Sequence, residues 1–331
     1  MSRFAPDRFT ILLICTVILA SMLPIDGVYA EWFGVATDIA IGLLFFLHGA
    51  RLSRQTVVAG ALHWRLHLTI LLTTFAIFPV LGLMIGFIPQ SILAPPLYMG
   101  ILFLCVLPST VQSSIAFTSM AGGNVPAAVV AASGSNILGM FLTPLLTGLL
   151  LSTTGNGGFS WDALESIMLQ LLLPFVVGQL LQPWIGDWIR SKKKILAPVD
   201  RGSILMVVYL AFSEAVIEGL WHTFTITDIA TVIVVDMVLL AVVLAVTMYG
   251  SRLLGFNKED EITITFCGSK KSLASGVPMA NAIFANQSSS VGAIVLPLML
   301  FHQIQLMACA IIAQKYAKRL VHDDPVPAPA Q

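Results

Sequence analysis

The twelve residues Thr265–Gly276, TFCGSKKSLASG, place two adjacent lysines between apolar segments. The segment EITI, which begins at Glu261, precedes them, and VPMANAIFAN follows. Charged residues are rare within membrane-spanning helices, and irregular backbone at membrane depth occurs only where protein or a water-filled cavity meets it. This stretch therefore predicts an unwound turn inside a membrane helix, with at least one lysine facing such a cavity.

The composition of the chain places it among membrane proteins. It has 331 residues, of which 57% are hydrophobic and only 10% charged, and its mean hydropathy is +0.91. Soluble domains contain about 25% charged residues. A water-soluble core cannot hold this much apolar sequence, so we predict an all-α polytopic membrane protein. The net charge is zero, and we expect no nucleic-acid partner.

Enzymatic and metal-binding motifs are missing from the sequence. The four cysteines all fall in apolar runs and are interpreted as small apolar fillers rather than as a disulfide framework or a metal site. The chain has no Cys/His metal spacing, no P-loop and no GxSxG elbow. These observations predict neither an enzyme nor an ATP-driven pump, with no cofactor and no resident metal.

Ten apolar runs are separated by polar or Gly/Pro-rich stretches, and each suits a bilayer core of roughly 30 Å. The runs are Phe9–Leu23, Trp32–Leu47, Leu66–Ile88, Leu97–Gly122, Val125–Leu151, Leu164–Trp184, Ile204–Leu220, Ile229–Gly250, Ile262–Ala285 and Val291–Ala313. They predict a first five-helix repeat over residues 1–152, a second over 153–320 and a disordered tail over 321–331.

The basic residues predict the orientation of these spans. With the N-terminus in the cytoplasm, fifteen of the seventeen Lys and Arg residues fall in cytoplasmic segments. Only Lys270 and Lys271 remain, and they lie inside a span. Because cytoplasmic loops are enriched in basic residues, we expect both termini in the cytoplasm and a location in the cytoplasmic, or cell inner, membrane.

The first thirty residues allow a second interpretation. A basic start, an apolar centre and the ending VYA before Glu31 resemble a secretory signal. Its cleavage would leave nine spans with the same loop charges, so charge does not distinguish the two alternatives. The correspondence between the fourth and ninth spans favours ten.

The fourth span has the same unusual character as the ninth. Pro108 interrupts it, and the polar run STVQSS follows at once. In the ninth span, Gly268, Gly276 and Pro278 surround the lysines. Broken helices at the same place in two halves of odd helix number indicate an inverted-repeat transporter, with the site between the breaks. The alternative is that proline and glycine only kink packed helices.

The depth of the lysines argues against a role at the membrane surface. Glu261 begins the ninth span, and nine residues at 1.5 Å each place Lys270 about 14 Å inside, close to mid-depth. The alternative is that the lysines snorkel to the cytoplasmic surface. Replacement of the cavity-facing lysine, Lys270 or Lys271, by methionine is expected to keep or improve stability while transport falls.

Other polar residues within the spans are candidates for the same site. Glu214 and Glu218 share one helix face, and Glu218 is equally interpreted as the extracellular end of its helix. Asp38 and Asp236 are the remaining acidic residues within spans. Small polar groups often only join helices. The predicted substrate- or ion-binding residues are Thr74, Ser109, Thr110, Ser113, Ser114, Asn136, Glu214, Ser269, Lys270, Lys271, Ser272, His302 and Gln305.

Several motifs along the chain resemble one family. FFLHGARLS, FAIFP, LPSTVQSSIAFTSMAGGN, FCGSKKSLASGVP and PLMLFHQIQ are similar to segments of the bile acid:sodium symporter superfamily, and within it of the sodium/bile acid cotransporter 7-like branch. The resemblance implies ten helices in two inverted repeats, with broken, crossing helices 4 and 9. It implies a core of helices 3–5 and 8–10, a panel of helices 1, 2, 6 and 7, and transport of organic anions with sodium.

The sequence departs from this family at the sodium sites. The sodium-coupled branch carries a pattern like E-V-G-M-Q-N-S where this chain has Phe266–Ser272, FCGSKKS, without a carboxylate. The hydroxyl ligands that the resemblance implies in helix 5 fall on Ala128 and Ala132, and a helix 3 glutamine falls on Thr74. A lysine ammonium in this place would repel sodium and occupy its space.

These inferences predict a symporter-like secondary active transporter for an organic anion, such as a bile-acid-like or sulfated solute. Its coupling ion is sodium or a proton, and its partners are the small-molecule anion and the lipid bilayer. The alternative is a membrane regulator or scaffold of ion homeostasis that transports little. An ion channel is disfavoured, since channels seldom need two crossing broken helices.

Overall fold

The structure, a computed structural model, describes residues 8–51, 63–153, 161–217, 224–284 and 291–323. All regular elements in these ranges are helical. In chain order they are α1 (Arg8–Met22), α2 (Gly27–Arg51), α3 (Trp64–Leu72), a π-helical turn (Thr73–Ile77), α4 (Phe78–Ile85), α5 (Pro95–Val106), α6 (Gln112–Met120), α7 (Val125–Thr153), α8 (Trp161–Ser191), α9 (Lys193–Ile217), α10 (Ile226–Leu253), α11 (Lys258–Gly268), α12 (Leu273–Phe284) and α13 (Val291–Asp323).

The helices have the length and surface of membrane-spanning segments. Five described stretches are long and apolar enough to cross a bilayer, and large apolar side chains such as Trp32, Val238 and Leu149 point outward with half or more of their surface exposed. The five stretches are Gly27–Arg51, Trp64–Ile85, Val125–Leu150, Ile226–Leu253 and Val291–Lys318. An outer apolar surface of this extent fits lipid rather than water, so the chain is a polytopic membrane protein.

A π-helical turn over Thr73–Ile77 interrupts the third apolar run. The N–H of Phe78 bonds the carbonyl of Thr73, five residues earlier. In this register the carbonyl of Thr74 would take its hydrogen bond from Pro79, which has no N–H. The carbonyl of Thr74 is therefore free to accept a bond from another part of the chain.

The fourth and ninth runs are each divided into two helices, as the sequence predicts. Helix α5 ends at Val106 and α6 begins at Gln112, with Pro108 between them. Helix α11 ends at Gly268 and α12 begins at Leu273. Each interruption leaves unpaired carbonyls on the helix that ends there and unpaired N–H groups on the helix that begins.

The last helix continues beyond the predicted boundary of the tail. Helix α13 extends to Asp323, so the boundary drawn at residue 321 falls inside it. Pro325 and Pro327 follow, and proline is unfavourable within a helix. Residues 324–331 lie outside the described ranges.

The helices pack in two groups. In the first, α1 packs on α9, and α2 packs on α8 and α9. Helices α2 and α8 approach so closely that a Cβ on Gly49 would meet the backbone of Phe175, and one on Gly178 the backbone of Phe46. The second group contains α3 to α7 and α10 to α13, with both breaks inside it. Helix α9 joins the groups by packing on α12 and α13.

A cluster of charged groups joins three helices just before the ninth apolar run. The buried carboxylate of Glu261 accepts hydrogen bonds from Arg252 at 3.0 and 3.1 Å, Lys258 at 2.6 Å and Tyr316 at 3.0 Å. Burial alone would raise the pKa of Glu261, but these hydrogen bonds outweigh it and lower the pKa below the ordinary glutamate value. Ionised Glu261 therefore holds α10, α11 and α13 together.

We predict that Glu261→Gln destabilises the fold by about 1–3 kcal/mol, since the buried acceptor of hydrogen bonds from three side chains loses its charge. Because the pKa of Glu261 is lowered on folding, its stabilisation is present above the unfolded-state pKa of about 4.3 and is lost as the pH falls through the folded-state pKa. Thermal unfolding in detergent, measured from about pH 7 down to about pH 2, checks both effects, because the loss falls below the unfolded-state pKa of about 4.3. Glu259→Gln, at an exposed position of the same turn, is the matched control and should change little.

Candidate functional site

The two broken helices meet at their interruptions. The N–H of Ser272 donates to the carbonyl of Pro108 at 2.9 Å, so the two breaks are joined backbone to backbone. The Ser109 hydroxyl donates to the carbonyl of Cys267 at 2.6 Å, and the Ser114 hydroxyl to that of Phe266 at 3.1 Å. Serines of the first break therefore supply donors to the final carbonyls of α11.

Lys271, in the second break, supplies donors to the carbonyls at the end of α5. Its ammonium nitrogen lies 2.8 Å from the carbonyl oxygens of Cys105 and Leu107, at the end of α5. It lies 2.9 Å from the carbonyl oxygen of Thr74, the one left without a donor by Pro79. The last carbonyls before each break therefore accept hydrogen bonds from the other broken helix.

The contacts of Lys271 favour its protonated form. Three carbonyl oxygens surround the nitrogen, and carbonyls only accept hydrogen bonds. A neutral amine offers two N–H groups and would turn its lone pair toward the third carbonyl, whereas an ammonium offers three. The ring of Phe78 adds a cation–π contact with its centroid 4.0 Å from the nitrogen. Lys271 is thus a buried ammonium with all its hydrogen bonds satisfied.

Lys270 has a different environment although it is the next residue. Its side chain is also fully buried, yet its nitrogen has no hydrogen-bond partner among the described residues. It lies 3.8 Å from the centroid of the Phe117 ring and 5.8 Å from that of Phe266. A buried amine that bonds no acceptor is costly. The Lys270 nitrogen therefore has unused hydrogen-bonding capacity at the crossing.

The next helix after each broken pair fixes the backbone of the break. After the first break, α7 contributes Ser135, which accepts from the N–H of Ser109 at 3.0 Å, and Asn136, which donates to the carbonyl of Ser109 at 2.7 Å. After the second, Gln305 of α13 accepts from the N–H of Lys271 and donates to its carbonyl, both at 2.9 Å. Polar side chains here replace the hydrogen bonds that a continuous helix would make.

The other predicted site residues extend this network. The Thr110 hydroxyl lies 2.7 Å from that of Ser113 and 3.0 Å from that of Ser114. Asn136 accepts a hydrogen bond from Ser275 at 2.7 Å, and Ser275 is itself bonded to Ser272. The Ser269 hydroxyl donates to Thr265 within α11, and His302 Nδ1 lies 3.0 Å from Gln305 Nε2. The fold thus gathers twelve of the thirteen predicted residues around the crossing.

The acidic residues within the spans do not all lie in the described part of the structure. Glu214 lies on α9, but its side chain, like all of Glu218, falls outside the described part of the structure. Asp236, which the sequence prediction did not include in the site, is fully buried on α10, and neither carboxyl oxygen has a hydrogen-bond partner among the described residues. Its position, ten residues into a 28-residue span, was the available signal.

The crossing combines uncharged hydrogen-bonding groups with two basic side chains. Its groups are hydroxyls, amides, carbonyls and two lysines. No group of three or more His, Cys, Asp or Glu side chains that could hold a metal ion occurs in the residues that the structure describes. At Thr74, where the resemblance implies a glutamine ligand for sodium, the backbone carbonyl instead binds the Lys271 ammonium and is not available to sodium as well.

Comparison with known proteins identifies related sequences over most of the chain. The profile of the SBF-like CPA transporter family matches residues 7–318. An uncharacterized protein of Pseudomonas aeruginosa is 59% identical over 317 residues, covering 96% of this chain and 95% of its own. The YfeH protein of Escherichia coli, whose name marks it as a candidate symporter, is 54% identical over 313 residues, covering 95% and 93%. Sodium/bile acid cotransporter 7 of Mus musculus is 27% identical over 276 residues, covering 83% and 81%.

We predict that Gln305→Leu lowers the stability of the fold by about 2 kcal/mol or more, because it leaves the buried N–H and carbonyl of Lys271 without partners. The melting temperature of the purified protein in detergent measures the loss. Gln112→Leu makes the same change at an exposed position of α6 and should leave it nearly unchanged. Equal melting temperatures for the two variants would contradict the role of Gln305.

Proposed function

The chain belongs to the SBF-like CPA transporter family, and from this premise we propose that it is a secondary active transporter that carries an organic anion by alternating access. The family consists of transporters, not enzymes, and apolar helices surround the crossing. The names of two relatives, a candidate symporter and a sodium/bile acid cotransporter, support a small solute moved together with an ion.

The observation that carries the proposal is the isolated amino group of Lys270. It is buried at the crossing of the breaks and donates to no described acceptor, while Lys271 beside it is fully bonded. An anionic group of the substrate would give Lys270 the acceptor that it lacks. The nearby hydroxyls of Ser113 and Thr110 could donate to the same anion, and the beginning of α6 favours negative charge.

We further propose that the ten apolar runs form two inverted five-helix repeats, over residues 1–152 and 153–320. The support is the correspondence of the two breaks: each is the fourth run of its half, and each is fixed by polar side chains of the fifth. Ser135 and Asn136 serve the first break and Gln305 the second. In such repeats the site lies between the breaks and is exposed alternately to the two sides.

The coupling ion in this proposal is a proton rather than sodium. The Lys271 ammonium already occupies the carbonyls that would surround a cation. Asp236 is the buried carboxyl available to carry a proton, because a charged carboxylate without partners in an apolar interior is strongly disfavoured. Release of that proton would then require Asp236 to meet water or a cation in another conformation.

The proposed location is the cytoplasmic membrane with both termini inside. Its support is the distribution of Lys and Arg, which leaves the predicted outer loops without basic residues. The Arg252 and Lys258 side chains that bond Glu261 then lie at the cytoplasmic face of the second repeat.

Purified protein in liposomes tests the transport proposal. We expect uptake of a radiolabelled organic anion, such as a bile acid or a steroid sulfate, to persist when choline replaces sodium and to increase with an inward proton gradient. Lys270→Met should reduce the affinity for the anion about 10- to 100-fold, since a charge-assisted contact contributes about 1.5–3 kcal/mol.

Lys315→Met is the matched control, because it removes an exposed lysine of α13. Normal transport by Lys270→Met would exclude Lys270 from the site. A strict requirement for sodium would contradict proton coupling but not the transport proposal itself. If the wild-type protein binds organic anions but moves none of them, the regulator or scaffold becomes the better interpretation.

A further inference from the structure

We propose that the carbonyls of Thr74, Cys105 and Leu107 form a monovalent-cation site, and that the Lys271 ammonium is its permanently tethered occupant. The assignment concerns the chain's own cation and not the transported solute. It deepens the proposed function, because a built-in cation would make the core independent of external sodium, but its test measures stability and stands apart from transport.

The carbonyls are exposed by backbone structure that does not depend on the lysine. Pro79 lacks the N–H that would bond the Thr74 carbonyl in the π-helical register. The N–H of Ser109, which would bond Cys105 in a continuous helix, instead bonds Ser135. Leu107 already has an extended conformation, with ψ of 153°. The oxygens therefore converge on one point from two separate helices.

The chemistry of this point fits a monovalent cation. Rings of backbone carbonyls are the ligands with which proteins replace the hydration shell of monovalent ions. Divalent ions instead require carboxylate ligands in most sites, and none of the three ligands at this point is a carboxylate. The face of Phe78, 4.0 Å from the nitrogen, completes a surface that attracts positive charge.

The wild-type geometry also predicts which ion would replace the side chain. The three oxygens lie 2.8–2.9 Å from the nitrogen, the range of N–H···O hydrogen bonds. Ammonium reproduces these bonds, so it should bind the emptied site better than sodium does. Choline is too large for a space that one ammonium group fills, and it serves as the inert reference salt.

Shortening the side chain tests the assignment. Full-length wild-type, Lys271→Ala and Lys270→Ala proteins are purified in detergent, and their melting temperatures are compared in choline, sodium, potassium and ammonium chlorides at equal ionic strength. Lys271→Ala should melt well below wild type in choline. Its melting temperature should rise by about 2 °C or more, in a saturable manner, with ammonium and less with sodium or potassium.

The wild type and Lys270→Ala should show no such cation-specific rise, because neither vacates the three carbonyls. Lys270→Ala is the matched control, since it removes a buried ammonium of the same size one residue away. A melting temperature of Lys271→Ala that is the same in all four salts, or an equal rise in Lys270→Ala, would overturn the proposal.

A further pair of variants decides the case if Lys271→Ala does not fold in any salt. Lys271→Gln retains two N–H donors for the carbonyls, whereas Lys271→Met has a similar length and none. The proposal requires Lys271→Gln to be the more stable of the two. Greater stability of Lys271→Met would mean that filling the space matters and that the carbonyls do not require a cation.

Discussion

An interrupted helix inside an apolar core leaves carbonyls without donors, and the crossing is arranged to supply them. The carbonyls that end α11 accept from Ser109 and Ser114, and those that end α5 accept from Lys271. Neither break could be buried alone, since each unsatisfied backbone group costs several kcal/mol in hydrocarbon. The two breaks are thus mutually required, and the surrounding polar side chains follow from that requirement.

This reciprocity separates the roles of two adjacent lysines that look equivalent in the sequence. Lys271 donates hydrogen bonds to backbone carbonyls of another helix. Its replacement by methionine should therefore destabilise the fold, contrary to the expectation from sequence. Lys270 contacts aromatic rings and no described acceptor, and the expectation still applies there. A break allows neighbouring side chains to point in unrelated directions, because the regular angle of about 100° between residues no longer holds.

Much of this arrangement could be predicted from sequence, and the remainder depends on contacts between distant residues. Length, hydropathy and the paired STVQSS and GSKKS segments predicted a membrane protein with two broken helices. The π-helical turn was less visible, since Pro79 resembles any kinking proline until the free Thr74 carbonyl is seen beside Lys271. That Asp236 has no hydrogen-bond partner among the described residues could not be predicted either, because this depends on the packing of other helices.

The bonds between the two breaks also constrain how the protein is made. Lys271 bonds Cys105, which is 166 residues earlier in the chain. At about 5–20 residues per second, the ribosome needs roughly 8–33 s to make the intervening sequence. Until then the carbonyls at the end of α5 lack these hydrogen-bond donors, so water or the insertion machinery must satisfy them before Lys271 is synthesised.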